Sequence, residues 1–506
     1  MAKIEKVLVA NRGEIAIRIF RTCRKMNIKS IAIYTDVDRK APHVRYADEA
    51  YPISSDSQDI SYLQDDKIIS LAKEKNAAIH PGYGFFAENA DFAEKCKKNN
   101  VIFIGPASKH IKLMGSKTGA RDAMTSAGVP VVPGTKNPIR DLNDAKNAAL
   151  EIGYPIMLKA VYGGGGKGMR ILKDEQNFDA AFRTASSEAL SSFGNGDIYI
   201  EKYIVKPHHV EIQVLGDQHG RAIHLFEREC SIQRRHQKVI EETPSPFIDD
   251  KVRNNMYEVA VKAVKSLGYY SAGTLEFIVG SDQTFYFLEM NTRLQVEHPI
   301  TEITTGIDIV REMIRVAEGR GLTFKQNEIS RHGHAIECRI YAEDPTNNFA
   351  PSPGLVTVYQ APEGPNVRVS SGAYDGYEIP IYYDPLIAKV CANSKTREGA
   401  IENMKRILSE YIIAGIRTNI SFHQSVLKNK TFVSGIYDTD FIDTNFNMED
   451  LQRKKNEDVT IPLIAAAIRQ VRSERISLQK TDTDSKPIES NWKKSGKVIN
   501  VSNKCY

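Results

Sequence analysis

Two acidic residues frame the first candidate site. Glu276 lies in Thr-Leu-Glu-Phe-Ile and Glu289 in Tyr-Phe-Leu-Glu-Met-Asn, both strand-like stretches. A β-hairpin turning across Gly280-Ser281-Asp282 would bring the two carboxylates together on adjacent strands, with Asn291 on the same face as Glu289. Two carboxylates and an amide oxygen among apolar neighbours are hard-oxygen ligands suited to Mg2+ held between protein and phosphates. The plainer alternative is a pair of solvated strand faces. Downstream, Asn291-Thr292-Arg293-Leu294-Gln295-Val296-Glu297-His298-Pro299 puts Arg293, Gln295 and Glu297 on one face if the run is extended. A guanidinium near a carboxylate can be an internal ion pair. Beside a metal cluster it can equally bind a small anion and supply a base.

A second feature is Gly163-Gly164-Gly165-Gly166-Lys167-Gly168, between the strand-like segments Tyr154–Ala160 and Met169–Leu172. So many glycines cost conformational entropy, so close backbone approach to a ligand explains them better than a flexible hairpin tip. Backbone N–H groups beside a lysine suit phosphate. The loop is not a Walker A motif: Lys167 is followed by Gly168, and Gly115-Ser116-Lys117-Thr118 fails the same pattern. The run Ser231-Ile232-Gln233-Arg234-Arg235-His236-Gln237-Lys238 is basic, but no aromatic residues interleave to stack bases. Cys230 precedes it with no assignable partner for a nucleophilic role.

These residues need elements to hold them. The first hundred residues alternate strand and helix signals: Val7–Ala10, a helix carrying Ile15, Ile19 and Cys23, Ser30–Tyr34, then helix 67–75, strand 77–79, the loop His80–Gly84, helix 91–98 and strand 101–104. That cycle predicts βαβ units and a parallel sheet. No GxGxxG follows the first strand, so a dinucleotide site is not indicated. Strands are expected at 129–132, 198–204, 210–215, 223–227, 274–279 and 285–290, and helices over 178–190, 251–267 and 308–318. A mixed segment follows, with strands around 355–369 and a helix over 397–414.

Length and composition bound the rest. At 506 residues the chain should hold several domains, about three or four at ~150 residues each. Its 41% hydrophobic and 26% charged residues are those of a globular protein. A net charge of +5 is too thin to argue for a nucleic-acid partner, and none is expected. Six scattered cysteines with no CxxC pair read as reduced, packed thiols. There is no signal-like N-terminus and no membrane-length apolar run, so no membrane association and a cytoplasmic location are expected. Residues 447–506 carry 12 Lys+Arg against 8 Asp+Glu and so hold most of the excess charge. This polar tail reads as partly disordered, with Ile461–Val471 as a helix candidate that could dock a partner.

Taken together these stretches resemble the biotin carboxylase family of the ATP-grasp superfamily, from about Ile4 to Asp440. The resemblance rests on Ala10-Asn11-Arg12-Gly13-Glu14-Ile15-Ala16, His80-Pro81-Gly82-Tyr83-Gly84-Phe85 and Lys159 with the glycine loop. Glu201-Lys202-Tyr203, His208-His209-Val210-Glu211, Gln233–Lys238 and Glu289–Glu302 continue it. Departures are small: Lys167 stands where arginine is common, Val161-Tyr162 where smaller residues are usual, and Phe86-Ala87 in place of Leu-Ser before Glu88.

The resemblance implies an α/β and α+β multidomain fold: an N-terminal Rossmann-like domain (1–116), an ATP-grasp lid (117–204), an ATP-grasp catalytic region (205–332), a biotin carboxylase C-terminal domain (333–446) and the tail. It implies ATP-dependent carboxylation of biotin with bicarbonate through carboxyphosphate, the first half-reaction of a biotin-dependent carboxylase. Lys117, Lys159, Gly165 and Gly166 would meet ATP phosphates, Glu201, Lys202, Tyr203 and Ile204 the adenine, His209 the ribose side, and His236 the nucleotide pocket. Glu276, Glu289 and Asn291 would hold Mg2+ or Mn2+. Lys238, Arg293, Gln295 and Val296 would bind bicarbonate, Glu297 would be its general base, and Arg339 and Tyr83 would face biotin.

With no Ala-Met-Lys-Met biotin-accepting pattern in the sequence, the expected partners are a separate biotinyl carrier protein and carboxyltransferase subunits, with a homodimer as the family's assembly. The stretch Gly435–Ile442 leans towards the acyl-CoA and pyruvate carboxylase branches over the simplest acetyl-CoA enzyme. A carbamoyl-phosphate-synthetase-like ligase would lack Arg339 and the His80–Phe85 context. A catalytically silent scaffold would lack a charged member of the metal or bicarbonate set, and all are present.

Overall fold

The computed structural model describes residues 3–53, 61–160, 169–193 and 196–446. The glycine loop with Gly165 and Gly166 and the tail from 447, including Ile461–Val471, lie outside the described residues.

The N-terminal strands β1 (Lys6–Val9), β2 (Lys29–Tyr34), β3 (Glu49–Pro52) and β4 (Ala78–His80) form a parallel sheet in the order β3-β2-β1-β4. Val7 and Val9 enter one apolar core while Leu8 and Ala10 enter another, so both faces are covered, as a parallel sheet requires. The helix Gly13–Lys25 lies against one face through Ile15, Ile19 and Cys23. The strand expected at 101–104 reduces to a single parallel bridge between Phe103 and Ile79. Pairing stops there because Gly105-Pro106 follows and proline has no N–H for the ladder. The strand expected at 129–132 likewise contributes only a bridge, Val131 to Phe287.

A second unit joins β5 (Ile156–Ala160), β6 (Met169–Leu172) and β7 (Ile198–Lys202) in an antiparallel sheet ordered β6-β5-β7. Ile156 and Leu158 turn inward onto the helices Leu142–Ile152 and Phe178–Phe193, through Ala145, Ala149, Phe178 and Phe182. Alternation along the strand therefore puts Lys159 on the opposite face.

Eight further strands form one antiparallel sheet. They are β8 (His208–Gly216), β9 (Ala222–Arg234), β10 (Gln237–Thr243), β11 (Ser271–Val279), β12 (Phe285–Asn291), β13 (His334–Tyr341) and the strands Val367–Ser371 and Leu386–Ser394. Their order is β12-β11-β8-β9-β10-β13, then Leu386–Ser394 and Val367–Ser371. β10 pairs with β13, so the sheet runs straight through the boundary expected at 332/333.

β10 itself was hidden in the basic run. Arg235 and His236 both adopt positive φ, 50° and 64°, which makes a tight two-residue turn and splits that run into two strands. The helix Asp250–Leu267, capped by Asp249 and ended by Gly268 at φ 60°, packs on the sheet through Met256, Ala260 and Val264. The helix expected over 397–414 ends at Glu410; Tyr411 is extended and Ile412–Ala414 pairs with Val358–Gln360. Among the described residues no helix is long and apolar enough to cross a membrane, and the five described cysteines are buried free thiols.

Candidate functional site

Register explains the centre of the site. Glu289 on β12 sits opposite Glu276 on β11, Glu276 opposite Glu211 on β8, and Glu211 opposite Arg228 on β9. Three carboxylates and a guanidinium thus form one row across four strands. Like charges on neighbouring strands repel unless a cation intervenes, and here Lys238 supplies one. Its Nζ donates to Glu211 at 2.5 Å, to Glu276 at 2.7 Å and to Glu297 at 2.8 Å. Arg228, wholly buried, holds the other Glu211 oxygen at 2.5 Å and also donates to Gln213 and Thr301.

The acidic pair meets the expectation that Glu276 and Glu289 face each other. Glu276 is crowded: Lys238, Asn291 (2.8 Å) and Gln295 (3.2 Å) all donate to Oε1, and His209 Nε2 lies 2.9 Å from Oε2. Burial would raise its pKa, but Lys238 and His209 hold it far below the usual range. Glu289 is exposed, and among the described residues no hydrogen bond or ion pair engages its carboxylate. Partial desolvation and the nearby Glu276 charge hold its pKa above the ordinary value. A carboxylate strained by a like charge and left without a donor suits a divalent cation.

Asn291 fits less simply, because its Oδ1 already accepts from Arg293 at 3.1 Å and must be released to ligate. His209, Glu211 and Glu276 bring their ligand atoms within 4.8 Å of one another, so His209 stands beside the acidic row.

Arg293, Gln295 and Glu297 do not lie along an extended strand. The chain turns after Asn291 and enters the helix His298–Thr305, with Glu297 at its N-cap position. The turn still gathers them: Arg293 donates to Gln295 at 3.0 Å and to Glu88 at 2.7 Å. Glu297 is fully buried, with Oε1 on Lys238 and Oε2 on Arg339 at 3.1 Å. Burial pushes its pKa up, yet Lys238, Arg339 and Arg228 overcome that and hold it well below the carboxylate range. Arg339 is shared, its guanidinium also lying 2.6 Å from Glu241. Tyr83, on the loop after β4, is half-buried within electrostatic reach of Arg339; desolvation and the adjacent Glu14 push its hydroxyl pKa well up.

The nucleotide-side candidates are more dispersed. Lys159 is paired with Glu201, which Arg121 also approaches, at 3.7 Å. Lys202 Nζ is tied to the carbonyls of Gly153 and Tyr154, and the N–H groups of Lys202 and Tyr203 go to the Pro133 and Pro155 carbonyls. The Lys202 ammonium and the N–H groups of Lys202 and Tyr203 are therefore already engaged within the protein. Lys117 is exposed at the start of the helix Lys117–Ser126, and His236 is exposed at the β9–β10 turn. Neither is gathered into the acidic centre.

Sequence reasoning assigned no role to Glu211, Arg228, Glu241, Glu88, Glu14 or Lys389. A signal for the first was present: His209, Glu211 and Gln213 alternate with Val210, Ile212 and Val214, yet both sets are largely enclosed. A polar strand face that is also buried is a candidate site.

Carboxylates bridged by a buried lysine suit a divalent cation beside a small anion, and comparison with known proteins narrows the class. The Biotin carboxylase, N-terminal domain model matches residues 3–111, the Carbamoyl-phosphate synthase L chain, ATP binding domain model residues 116–325, and the Biotin carboxylase C-terminal domain model residues 337–444. The chain is 52% identical to Biotin carboxylase 1 of Bacillus subtilis over 443 residues, 87% of this chain and 98% of that one. Two solved structures superpose over most of it. The biotin carboxylase subunit of pyruvate carboxylase does so with a TM-score of 0.81 at 48% identity, covering 87% of this chain and 98% of that one. The biotin carboxylase domain dimer of Hydrogenobacter thermophilus 2-oxoglutarate carboxylase, with MgADP, ADP and bicarbonate, gives a TM-score of 0.78 at 47% identity, covering 88% of this chain and 98% of that one. The chain belongs to the biotin carboxylase family.

Proposed function

We propose that this chain uses ATP and bicarbonate to carboxylate biotin carried on a partner protein. One observation carries the reading. Lys238 joins Glu276, on the metal side, to Glu297, whose second oxygen reaches Arg339 on the biotin side. Phosphate, bicarbonate and biotin chemistry are therefore wired through one buried cluster.

Bicarbonate would sit among Lys238, Arg293, Gln295 and the Val296 backbone. As an anion it draws on the same cations that hold Glu297 down, and its own charge raises the proton affinity of Glu297. Glu297 can then accept the bicarbonate proton, and the freed oxygen attacks the γ-phosphorus. Lys117 and Lys159 would hold the phosphates, with Glu201–Ile204, His209 and His236 on the nucleoside. Mg2+ at Glu276, Glu289 and a released Asn291 would neutralise charge on the transferring phosphoryl group; Mn2+ offers the same donor preference. Carboxyphosphate then yields CO2 and phosphate in the closed pocket. Arg339 would stabilise the negative ureido oxygen of biotin once that ring loses its proton.

The two solved structures named above carry different acceptors in their names, pyruvate and 2-oxoglutarate, so the shared half-reaction is the part family membership supports. The final acceptor belongs to a carboxyltransferase partner. A homodimer is inferred from the Hydrogenobacter dimer.

The test is ADP release with ATP, Mg2+ and bicarbonate, with and without free biotin. Stimulation by biotin with carboxybiotin formed is expected. No stimulation and no carboxybiotin would overturn the reading.

A further inference from the structure

The Asn-Arg-Gly-Glu motif has no role in the scheme above, although its glutamate reaches the site. Lys389 lies on the strand Leu386–Ser394, directly opposite Arg339 on β13. Two cations facing each other across a ladder repel, so each needs its own anion. Arg339 has Glu241 and Glu297; Lys389 has Glu14, 3.1 Å away at the start of the helix Gly13–Lys25. Lys389 is completely buried and makes one more bond, donating to the carbonyl of Val296 at 2.6 Å. The same Glu14 oxygen accepts the hydroxyl of Tyr83, whose ring centre lies 5.4 Å from the Lys389 ammonium. The second Glu14 oxygen is buried with no hydrogen-bond partner among the described residues.

The three side chains come from three separate parts of the sequence. They meet where the bicarbonate turn, Gln295-Val296-Glu297, approaches the biotin-facing tyrosine. A lysine that holds the carbonyl of Val296 fixes the peptide plane that carries Glu297, which follows Gln295 and Val296. A carboxylate shared by that lysine and by Tyr83 makes the position of one depend on the other.

We propose that Lys389 and Glu14 are positioning residues that couple the bicarbonate turn to the biotin side of the site, Lys389 through the Val296 carbonyl and Glu14 through the Tyr83 hydroxyl. The inference rests on the bicarbonate and biotin assignments made above.

The experiment uses the full chain and measures KM for bicarbonate and for free biotin separately, with thermal unfolding of each variant. Glu14→Gln and Tyr83→Phe keep side-chain size, so they carry the test if Lys389→Met fails to fold. Losing a charge-assisted hydrogen bond corresponds to ~10-fold or more. Each of the two variants should raise the KM for biotin by about that factor and the KM for bicarbonate by less, and the double variant should add little to either single change. Lys389→Met should raise both KM values, and Lys389→Arg should recover part of the bicarbonate effect. A pure structural staple predicts instead that kcat falls with the folded fraction while both KM values stay put, or that the two changes multiply; either result overturns the proposal. Wild-type protein with no biotin-stimulated ATPase would remove the underlying reading itself, a failure visible before any variant is made.

Discussion

Replacing Lys238 with glutamine is the most searching perturbation of the cluster. The ammonium serves three carboxylates at 2.5–2.8 Å, so the substitution deletes a buried cation and leaves three buried anions with less compensation. Breaking a buried pair costs about 3–5 kcal/mol when the partner is left uncompensated. Here none is left bare: Glu211 keeps Arg228, Glu297 keeps Arg339, and Glu276 keeps Asn291, Gln295 and the His209 contact. The stability loss should therefore stay near the lower end, about 3 kcal/mol, and the variant should fold. Activity should suffer more. With bicarbonate bound as proposed, it would lose a cation at the oxygens where charge develops, a loss on the order of 10²–10³ in rate for one preorganised donor. Glu297 also loses one of the cations that depress its pKa, so its proton affinity rises. Bicarbonate-dependent ADP release, measured against urea unfolding of the same preparation, separates the two effects. A folded Lys238→Gln protein within about threefold of wild-type turnover would refute the reasoning.

Three further outcomes follow from particular side chains. Glu289→Gln should raise the Mg2+ concentration for half-maximal activity by ~10-fold or more, read from an Mg2+ titration of ADP release; an unchanged midpoint would take Glu289 out of the metal set. Buried His43 and His423 are pushed down to about 4 by desolvation, so each takes up a proton on unfolding below the ordinary histidine pKa. Their stabilisation is complete above about pH 6.5, falls as pH drops, and is fully lost near pH 4. His423→Asn should therefore flatten the stability–pH slope in that window by about 1.4 kcal/mol per pH unit, measured by urea unfolding at several pH values. Glu242 behaves oppositely: burial opposes its ionisation, but His334 and Arg397 pull its pKa down to about 2. Its contribution is present above the ordinary glutamate pKa and lost as pH falls towards 2, so Glu242→Gln should lessen acid sensitivity there, checked by acid titration of the circular dichroism signal.

The acidic pair was legible in the sequence because a hairpin places residues across the strand by simple counting, and Glu276 does stand opposite Glu289. The parallel N-terminal sheet was legible for a similar reason, since its apolar runs and helical spacing are local. What counting could not reach was set by tertiary register. Glu211 and Arg228 join the row only because β8 lies between β11 and β9, an arrangement that crosses the chain order. Glu241 and Lys389 reach Arg339 through β10 and the strand Leu386–Ser394, which lies far beyond β13 in the chain, contacts with no local signature. The extended face drawn for Arg293, Gln295 and Glu297 failed because the helix starting at His298 pulls the chain into a turn. The basic run dissolved once the Arg235-His236 turn sent Lys238 inward and left His236 outside.

At the centre of the proposed chemistry, this cluster makes bicarbonate the nucleophile towards ATP. A single turnover with 18O-labelled bicarbonate, ATP, Mg2+ and free biotin tests it directly, by mass spectrometry of the released phosphate. One oxygen of the phosphate should come from bicarbonate, and Glu297→Gln should slow the appearance of that label. Phosphate whose new oxygen derives from water would contradict bicarbonate attack.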